Sequence, residues 1–499
     1  MGGRPEITDQ STHKLVRAHV MRKYKRDRRK QKEQEQSERR RKSNSSQSDT
    51  VHQDSTASNI FQSKSEPPET LAFSNTYNAA FDVDAVHNSI INFLPAMDAR
   101  LNPVHGLSIP ATPRVLMLLS QGITNSIRTS VHSDPTNTYK LYCMGNPAWT
   151  FMSISYSAAR LEVLKNEDNQ ESAYYLSRSR SAMNEIITTS PNEVEDSTIV
   201  AVSCLSNIAC LSGSVSDALV HINGLQRMVE LRGGLNNLGL SGITRRMVQW
   251  SDLLCSATFQ TKPRLPRWQF ENMPPLSTFL PETTSTSDFY EPPFNSVLKD
   301  TAILSNRVEV LDVLKNLHEL TTFLNLSNIK ELPFEAAYPD RLYGVEHKVL
   351  CLIAEEEKEE VDTANRYQQH DITRLLLRVS LLYIYTNLRQ TPIGGKLRRR
   401  LVKRLQEFLN CSTNLPLLMA TFPAEMLWTS FLGSYAATGT DYQSYFIEIT
   451  EALSRGNSLL SWAHIISFLN SLPVLEDSCR KACNRIWMDN IGTPHSMQR

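Results

Sequence analysis

The sequence predicts an all-α fold, in which a large helical domain follows a disordered basic N-terminal arm. From about Phe73 onward, apolar residues recur at helical spacing almost throughout, while no sustained alternation marks a strand and no strand–helix–strand rhythm occurs. The chain has 499 residues, of which 40% are hydrophobic and 21% charged. This composition suits a globular protein with a sizeable core.

The first element is a basic segment. Residues 14–42 hold 14 Lys and Arg against 4 Asp and Glu, a net charge of +10, whereas the rest of the chain carries −9. Val16, Val20 and Tyr24 form only a thin apolar stripe, so we expect any helix here to form partly or on binding. The charge split predicts an anionic partner for the arm: nucleic acid, an import receptor or a membrane surface.

We interpret residues 1–42 as a nuclear import signal or a nucleic-acid contact, because KYKRDRRKQK and RRRK are clusters typical of such signals. The residues assigned to this role are Arg22, Lys23, Lys25, Arg26, Arg28, Arg29, Lys30, Arg39, Arg40, Arg41 and Lys42. Contact with a partner protein and a solvated tail stay open as alternatives. No leucine heptads follow the arm, so a basic-zipper arrangement is not expected.

Residues 43–72 are rich in Ser, Thr, Gln and Asp and nearly free of large apolar residues, so we expect a disordered linker. We assign residues 73–499 to one all-α domain, interrupted by a loop at 262–293. Seven prolines in that loop forbid a long helix. The loop either packs as an extended belt across the helices or is mobile, and the sequence leaves both open.

Within the domain, helical spacing predicts helices over 149–165, 198–211, 243–259, 300–326, 370–388, 396–409 and 444–453. The charge run 355–360, EEEKEE, is interpreted as a solvated helix face or turn. No run of about 18 apolar residues occurs, so we expect no membrane-spanning helix and no membrane partner. The polar, then basic N-terminus predicts no signal peptide.

The segment HINGLQRMVELRGGL, residues 221–235, has a Gly-Gly pair beside an arginine and invites comparison with a phosphate-binding loop. Apolar residues at helical spacing precede the pair, with Ser214 placed to cap this helix and Asp217 in its first turn. Phosphate-binding glycines precede a helix, where N–H groups are unpaired, whereas these follow one. We therefore interpret Arg232, Gly233 and Gly234 as a structural helix C-cap.

The eight cysteines are scattered and no CxxC occurs, so we interpret them as reduced thiols in an intracellular protein and expect no metal. Cys479 and Cys483 share a helix face, but no further ligand pair lies nearby. The motifs GxGxxG, GxxxxGK[ST], HExxH and GxSxG are absent. His221 is interpreted as a packed or partner-bonded histidine. We predict no catalytic residue, no cofactor and no enzymatic activity.

Residues 221–225 and 228–235 resemble a signature of the fungal-specific transcription factor domain, HLxGhxxhhxxRGGh with h apolar; Ile222 stands where that pattern has Leu. Residues 196–200 open the preceding helix as in the family. Residues 243–259, with Asp252 and the prolines at 263 and 266, resemble its next helix and proline exit. The likeness covers roughly residues 73–487. The arm, VRxHVMxxYKRxRR at 16–29, resembles the start of similar proteins.

The resemblance implies a nuclear transcription regulator that controls a fungal gene set such as a biosynthetic pathway, and whose helical domain binds other proteins or a small effector. Its partners would be an import receptor, DNA through the arm or through a partner protein, and a second copy in a homodimer. Many members bind DNA through a six-cysteine, two-zinc cluster, but this chain has no cysteine before Cys143. A partner-only interaction protein without DNA binding is the alternative, and a helical enzyme is the third hypothesis.

Overall fold

The computed structural model describes part of the chain, and the fold is given for that part. The described residues are 107–126, 143–165, 170–190, 194–267, 276, 307–326, 337–362, 371–389, 391, 395–411, 415–473 and 475–491. The chain divides into two units, Met1–Pro67 and Pro68–Arg499, and all described residues lie in the second. The arm, the linker and most of the proline-rich loop lie outside them.

Over these ranges the protein consists of helices and connecting turns without a strand, which confirms the all-α prediction. The first eight helices are α1 (Pro113–Ser126), α2 (Pro147–Lys165), α3 (Glu171–Thr189), α4 (Asp196–Ser212), α5 (Val215–Leu231), α6 (Ile243–Phe259), α7 (Arg307–Leu326) and α8 (Ala337–Asp362). The others are α9 (Asp371–Tyr383), α10 (Lys396–Cys411), α11 (Leu415–Thr421), α12 (Pro423–Ala436), α13 (Gln443–Gly456), α14 (Trp462–Phe468) and α15 (Asp477–Asn490).

Helical spacing located several of these helices closely. The helix expected at 243–259 has those bounds, and α2, α4, α10 and α13 are a few residues longer than expected. The helix expected at 370–388 changes to a π-helical turn at Ile384–Leu388, where Arg389 N–H bonds to the carbonyl of Ile384 (2.7 Å). Spacing did not single out α1, α3, α8, α11, α12, α14 or α15.

Helices that follow each other in the chain pack as pairs, namely α2 with α3, α4 with α5, and α12 with α13. Helix α6 packs on α4, α5 and α8, while α9 packs on α7, α8, α10 and α12. One continuous apolar core extends from α2 to α15, and a smaller cluster lies between α1 and α2. The burial of these apolar faces is the main force that holds the helices together.

Helix α6 is buried on nearly every side, since 15 of its 17 residues are buried. Several of these are polar, among them Arg245, Arg246, Gln249 and Asp252. Buried polar groups need hydrogen-bond or ionic partners inside the protein, because desolvation is costly. The partners of this helix build the polar part of the site described below.

None of the described helices is by itself long and apolar enough to cross a membrane. Helices α11 and α12 together reach that length and composition, but a bend of 116° separates them. The densest apolar run of the chain, 375–385, contributes its apolar side chains to the buried core.

Candidate functional site

The Gly-Gly pair lies at the C-terminal end of α5. Gly233 has a φ of 80° and Gly234 a φ of 103°. The N–H of Gly234 donates to the carbonyl of Val229 (2.9 Å), as in a Schellman ending. A Cβ on Gly233 would be strained at this φ and would lie 2.7 Å from Asn237 Nδ2, so the position requires glycine.

Arg232 joins the end of α5 to the start of α4. Its Nη2 lies 3.2 Å from Oδ2 of Asp196 and 3.1 Å from the carbonyl of Asn237, and its Nη1 donates to the carbonyl of Val194 (2.9 Å). Asp196 also accepts the N–H of Gly239 (2.9 Å). We call this arrangement the Arg232 clamp. It brings the 196–200 and 228–235 segments, which resemble the family pattern, into direct contact.

The Arg232 clamp is a structural feature, and it lies in the segment whose Gly-Gly pair invited comparison with a phosphate-binding loop. A phosphate site needs unpaired N–H groups at a helix N-terminus. Here the N–H groups of Gly233 and Gly234 donate to carbonyls of α5, and the guanidinium binds a carboxylate. The side-chain cap expected from Ser214 is absent, although Ser214 does stand at the N-cap position of α5.

A buried polar interface lies between α6 and α8. Nη2 of Arg245 lies 3.2 Å from Oδ2 of Asp340, and Nη1 of Arg246 lies 3.8 Å from the same oxygen. Arg389, which follows the π-helical turn, donates to Oε2 of Glu346 from Nη2 (2.7 Å) and from Nε (3.1 Å). Charges buried to this degree persist only with such partners, because desolvation otherwise favours the neutral forms.

Aromatic rings enclose the Arg389–Glu346 pair. The guanidinium of Arg389 lies 4.2 Å from the centroid of the Trp250 ring and 4.4 Å from that of Tyr343. The hydroxyl of Tyr385 donates to Oε1 of Glu346 (2.5 Å). Burial raises the pKa of the Tyr343 hydroxyl to about 12, so this hydroxyl stays protonated and uncharged well above physiological pH. Helical spacing predicted the helices of Trp250 and Tyr385 but not α8, which holds Tyr343 and Glu346, and it did not pair Arg389 with Glu346.

Asp252 and His347 hold the chain where it leaves α6. Oδ2 of Asp252 accepts the N–H groups of Arg264 and Leu265, each at 2.9 Å. Nε2 of His347 lies 3.0 Å from the carbonyl of Leu265, and a carbonyl only accepts, so Nε2 is the donor. Burial raises the pKa of Asp252, against the two backbone N–H groups, which lower it.

Two clefts flank α8. The polar cleft is lined by residues that include Gln249, Asp252, Leu265, Arg267, Tyr343 and His347. Among the described residues, no hydrogen-bond donor reaches the buried Oε1 of Gln249. The apolar cleft lies where the end of α6 meets α8, α9 and α10. The charge run was expected to be solvated, but Glu356 within it is buried and lies 3.5 Å from Arg378, which lines the apolar cleft.

The other residues singled out by the sequence are the cysteines, His221 and the basic residues of the arm. All eight cysteines are free thiols, and the Sγ atoms of buried Cys479 and Cys483 lie 3.8 Å apart. Within the described ranges no group of three or more His, Cys, Asp and Glu is placed to hold a metal ion. Burial, followed by the charge of Arg180, lowers the pKa of His221. The basic residues assigned between 22 and 42 lie outside the described residues.

The helical architecture of the described residues agrees with the helical regulatory domain that the resemblance implies. The family model described as the fungal specific transcription factor domain matches residues 137–472. This match covers more than half of the chain, and the protein belongs to that family of transcription regulators. The family is generally not enzymatic. No curated protein and no solved structure matches the chain.

Proposed function

We propose that this protein is a nuclear regulator of transcription that controls a set of fungal genes, such as those of a biosynthetic pathway. The observation that carries the proposal is a net charge of +10 concentrated in residues 14–42 of a chain whose residues 137–472 match a transcription-factor family. In this proposal an import receptor binds the arm. The helical domain binds other proteins or a small effector.

DNA contact is made through the arm or through a partner protein, and pairing into a homodimer is part of the same hypothesis. Lysine and arginine in the arm would bind phosphates and make affinity depend steeply on salt. Recognition of bases requires a secondary-structure element that is held rigidly in a groove of the DNA. The thin apolar stripe of the arm, Val16, Val20 and Tyr24, is too small to hold a helix in that way alone. A partner, or a second copy, would supply that rigidity.

The test is chromatin occupancy of the tagged full-length protein in a fungal host, beside a variant that lacks residues 1–42. Discrete promoter peaks that disappear without the arm support the proposal and assign DNA contact to the arm or to a partner that it recruits. A protein that stays outside the nucleus contradicts the proposal.

Localisation is tested with two alanine-patch variants. Replacement of Lys25, Arg26, Arg28 and Arg29 removes four positive charges from the first cluster, and replacement of 39–42 removes four from the second. The import hypothesis expects nuclear accumulation to fall in at least the first variant. Unchanged localisation in both variants and in their combination refutes an import role for the arm.

A partner-only regulator without DNA binding is the second candidate. It is favoured by one observation, the absence of any cysteine before Cys143, which leaves that stretch without the six-cysteine cluster. A salt titration of DNA binding by the purified protein separates the two candidates. Binding that weakens steeply with salt supports direct contact, whereas a nuclear protein without binding or promoter peaks supports the partner-only role.

A further inference from the structure

Helix α10 has a high positive charge for a helix that packs on the core. Its sequence, KLRRRLVKRLQEFLNC, holds six Lys and Arg and one Glu in 16 residues. Four of these cations lie in its first five residues, and its first turn holds no acidic residue. Cations near the N-terminus of a helix oppose its dipole and lower its stability. The stability of α10 alone therefore does not explain its charges, and contacts outside the helix must account for them.

Three of the six cations bind main-chain carbonyl groups in other parts of the protein. These contacts are Lys396 Nζ to Ser212 (3.4 Å), Arg398 Nη1 to Thr391 (3.3 Å) and Arg404 Nη1 to Ala257 (2.7 Å). Ser212 and Ala257 lie in the last turns of α4 and α6, where the carbonyl groups carry partial negative charge. These three cations therefore have a structural role, which is to hold α10 against the rest of the domain.

The other three cations, Arg399, Arg400 and Lys403, lie on the solvent side of α10, and we call them the basic face. Arg399 and Lys403 are exposed, and Arg400 is half-buried. No carboxylate of the described residues forms an ion pair with Arg399 or Arg400. Lys403 lies 3.6 Å from Glu407, but this pair is exposed and contributes little. The basic face therefore presents positive charge to the solvent that the described part of the protein does not neutralise.

The end of α4 holds Arg400 in place. A Cβ built on Gly213 would lie 2.6 Å from Nη2 of Arg400, so the guanidinium rests directly on this glycine. Arginine presents a planar fork of N–H donors that matches two oxygens of a phosphate. Because the protein already restricts this side chain, it loses less conformational entropy when it binds a ligand. Arg400 is thus a preorganised donor within the basic face.

A linear polyanion fits the basic face better than a single small anion does. From Arg399 to Lys403 the helix axis rises by about 6 Å. Over that length duplex DNA carries about three or four phosphate charges, one for each ~1.7 Å of its axis. A single ion held only by exposed cations is bound weakly, because water and salt screen them. The spacing and sign of these charges therefore favour a nucleic-acid backbone.

We propose that Arg399, Arg400 and Lys403 bind phosphates of duplex DNA and thereby orient the helical domain on the duplex. The choice of DNA over an acidic segment of another protein rests on the proposed function, because a regulator of transcription acts at DNA. The buried apolar side chains that fix α10 to the core are Leu397, Leu401, Val402, Leu405 and Leu409. A helix held in this way keeps its phosphate contacts in one geometry, and such contacts set the orientation of a protein on DNA.

The first experiment measures binding of the full-length protein to a fluorescent DNA duplex of about 30 base pairs, at salt concentrations between about 50 and 200 mM. The variant Arg399→Gln/Arg400→Gln/Lys403→Gln removes the positive charges of the basic face. Each lost phosphate contact lowers the slope of log affinity against log salt by about 0.9, so the slope should fall by about 2–3 and the affinity by about tenfold or more. Unchanged affinity and slope in the folded variant overturn the proposal.

The matched control removes the same number of positive charges from other exposed arginines, on α3 and α5. Its substitutions are Arg178→Gln, Arg180→Gln and Arg227→Gln. Each of these arginines has a partner among the described residues, namely the ring of Phe151, Asp217 and Glu230, respectively. The control should change the salt slope by less than about one. A loss as large as in the basic-face variant would show that net charge alone decides binding, and the proposal then fails.

A second variant keeps the charge of the basic face but replaces its guanidinium groups. Arg399→Lys/Arg400→Lys should retain most of the salt slope, because the slope depends on the number of phosphates that are neutralised. Loss of the slope in this variant contradicts binding through charge. Thermal melting shows whether each variant folds. If the triple variant does not fold, Arg399→Gln/Lys403→Gln, at two exposed positions, replaces it with an expected fall in slope of about two.

Occupancy and localisation measurements separate this inference from the proposed function. If the basic-face variant binds the duplex as wild type does while promoter peaks depend on the arm, the inference fails and the proposed function stands. If the variant loses duplex binding but the wild-type protein stays outside the nucleus, the proposed function fails and the DNA contact of α10 stands. If the variant keeps its duplex affinity but loses its promoter peaks, the basic face binds a partner protein, and the assignment to DNA is overturned.

Discussion

The guanidinium of Arg232 lies 3.2 Å from the carboxylate of Asp196, measured between Nη2 and Oδ2, across 36 positions of the chain. Asp196 lies in the first turn of α4 and Arg232 is the C-cap of α5. Each charge therefore complements the dipole of its own helix while it pairs with the other. The salt bridge fixes the start of one helix against the end of the next.

Removal of Arg232 is expected to destabilise the protein. Arg232→Ala breaks the bonds to Asp196, Val194 and Asn237, and loss of charge-assisted hydrogen bonds typically costs about 1–3 kcal/mol of unfolding free energy. Denaturant unfolding measures the change. Arg227→Ala is the control, because its pair with Glu230 is exposed and should contribute about 0.5 kcal/mol or less. Equal effects of the two variants would contradict a special role for the clamp.

Substitution by alanine is expected to change stability in opposite directions at Gly224, inside α5, and at Gly233, which follows its C-cap. Gly233→Ala places a Cβ at a φ of 80° and against Asn237, so it should lower the unfolding free energy by about 1–2 kcal/mol. Gly224 lies inside the helix with nothing within 4 Å of the added Cβ, and Gly224→Ala should raise stability by about 0.5–1 kcal/mol. Thermal unfolding of both variants checks the signs, and a stabilising Gly233→Ala would contradict the left-handed cap.

Replacement of only one partner of the Arg389–Glu346 ion pair is expected to lower the free energy of unfolding substantially. Glu346→Gln leaves the guanidinium of Arg389 buried without its carboxylate, which typically costs about 3–5 kcal/mol. Combination with Arg389→Met removes the stranded charge and should recover part of that loss. A double-mutant cycle by denaturant unfolding measures the coupling. Glu407→Gln, in the exposed pair with Lys403, is the control, and strictly additive effects of the buried pair would argue against the coupling.

The buried carboxylate of Asp252 is expected to make stability depend on pH. Its pKa in the folded protein is raised above the ordinary 3.8 by burial, so its contribution is present below that value and is lost as the pH rises through the raised pKa. Wild type should therefore lose stability relative to Asp252→Asn as the pH rises above 3.8, the ordinary pKa of the carboxyl. Denaturant unfolding at several pH values measures this difference, with exposed Glu448→Gln as the control for loss of a surface carboxylate. A difference that grows in favour of wild type as the pH rises would show that the two backbone N–H donors outweigh burial.

The spacing of apolar residues predicted the positions of helices well where apolar side chains recur along one face of the helix. Helix α6 was predicted at its observed bounds through Met247, Trp250 and Leu254, although nearly all of it is buried. The charged helix α8 was not singled out by spacing, and the run of acids at 355–360 was interpreted as a solvated helix face or turn. Glu356 is nevertheless buried, and its Oε2 lies 3.5 Å from Nη1 of Arg378 on another helix. A local pattern contains no information about a partner 22 residues away.

The sequence by itself determined the helical class of this protein, through apolar periodicity, and the polarity of the Gly-Gly segment, through the order in which helix and glycines follow each other. Both are local properties, set by backbone geometry and side-chain spacing. Only the tertiary structure decided that Arg232 binds Asp196, that Arg389 is enclosed with Glu346, and that two arginines line an apolar cleft. These contacts join segments far apart in the chain, and packing of the whole core selects which distant charges meet.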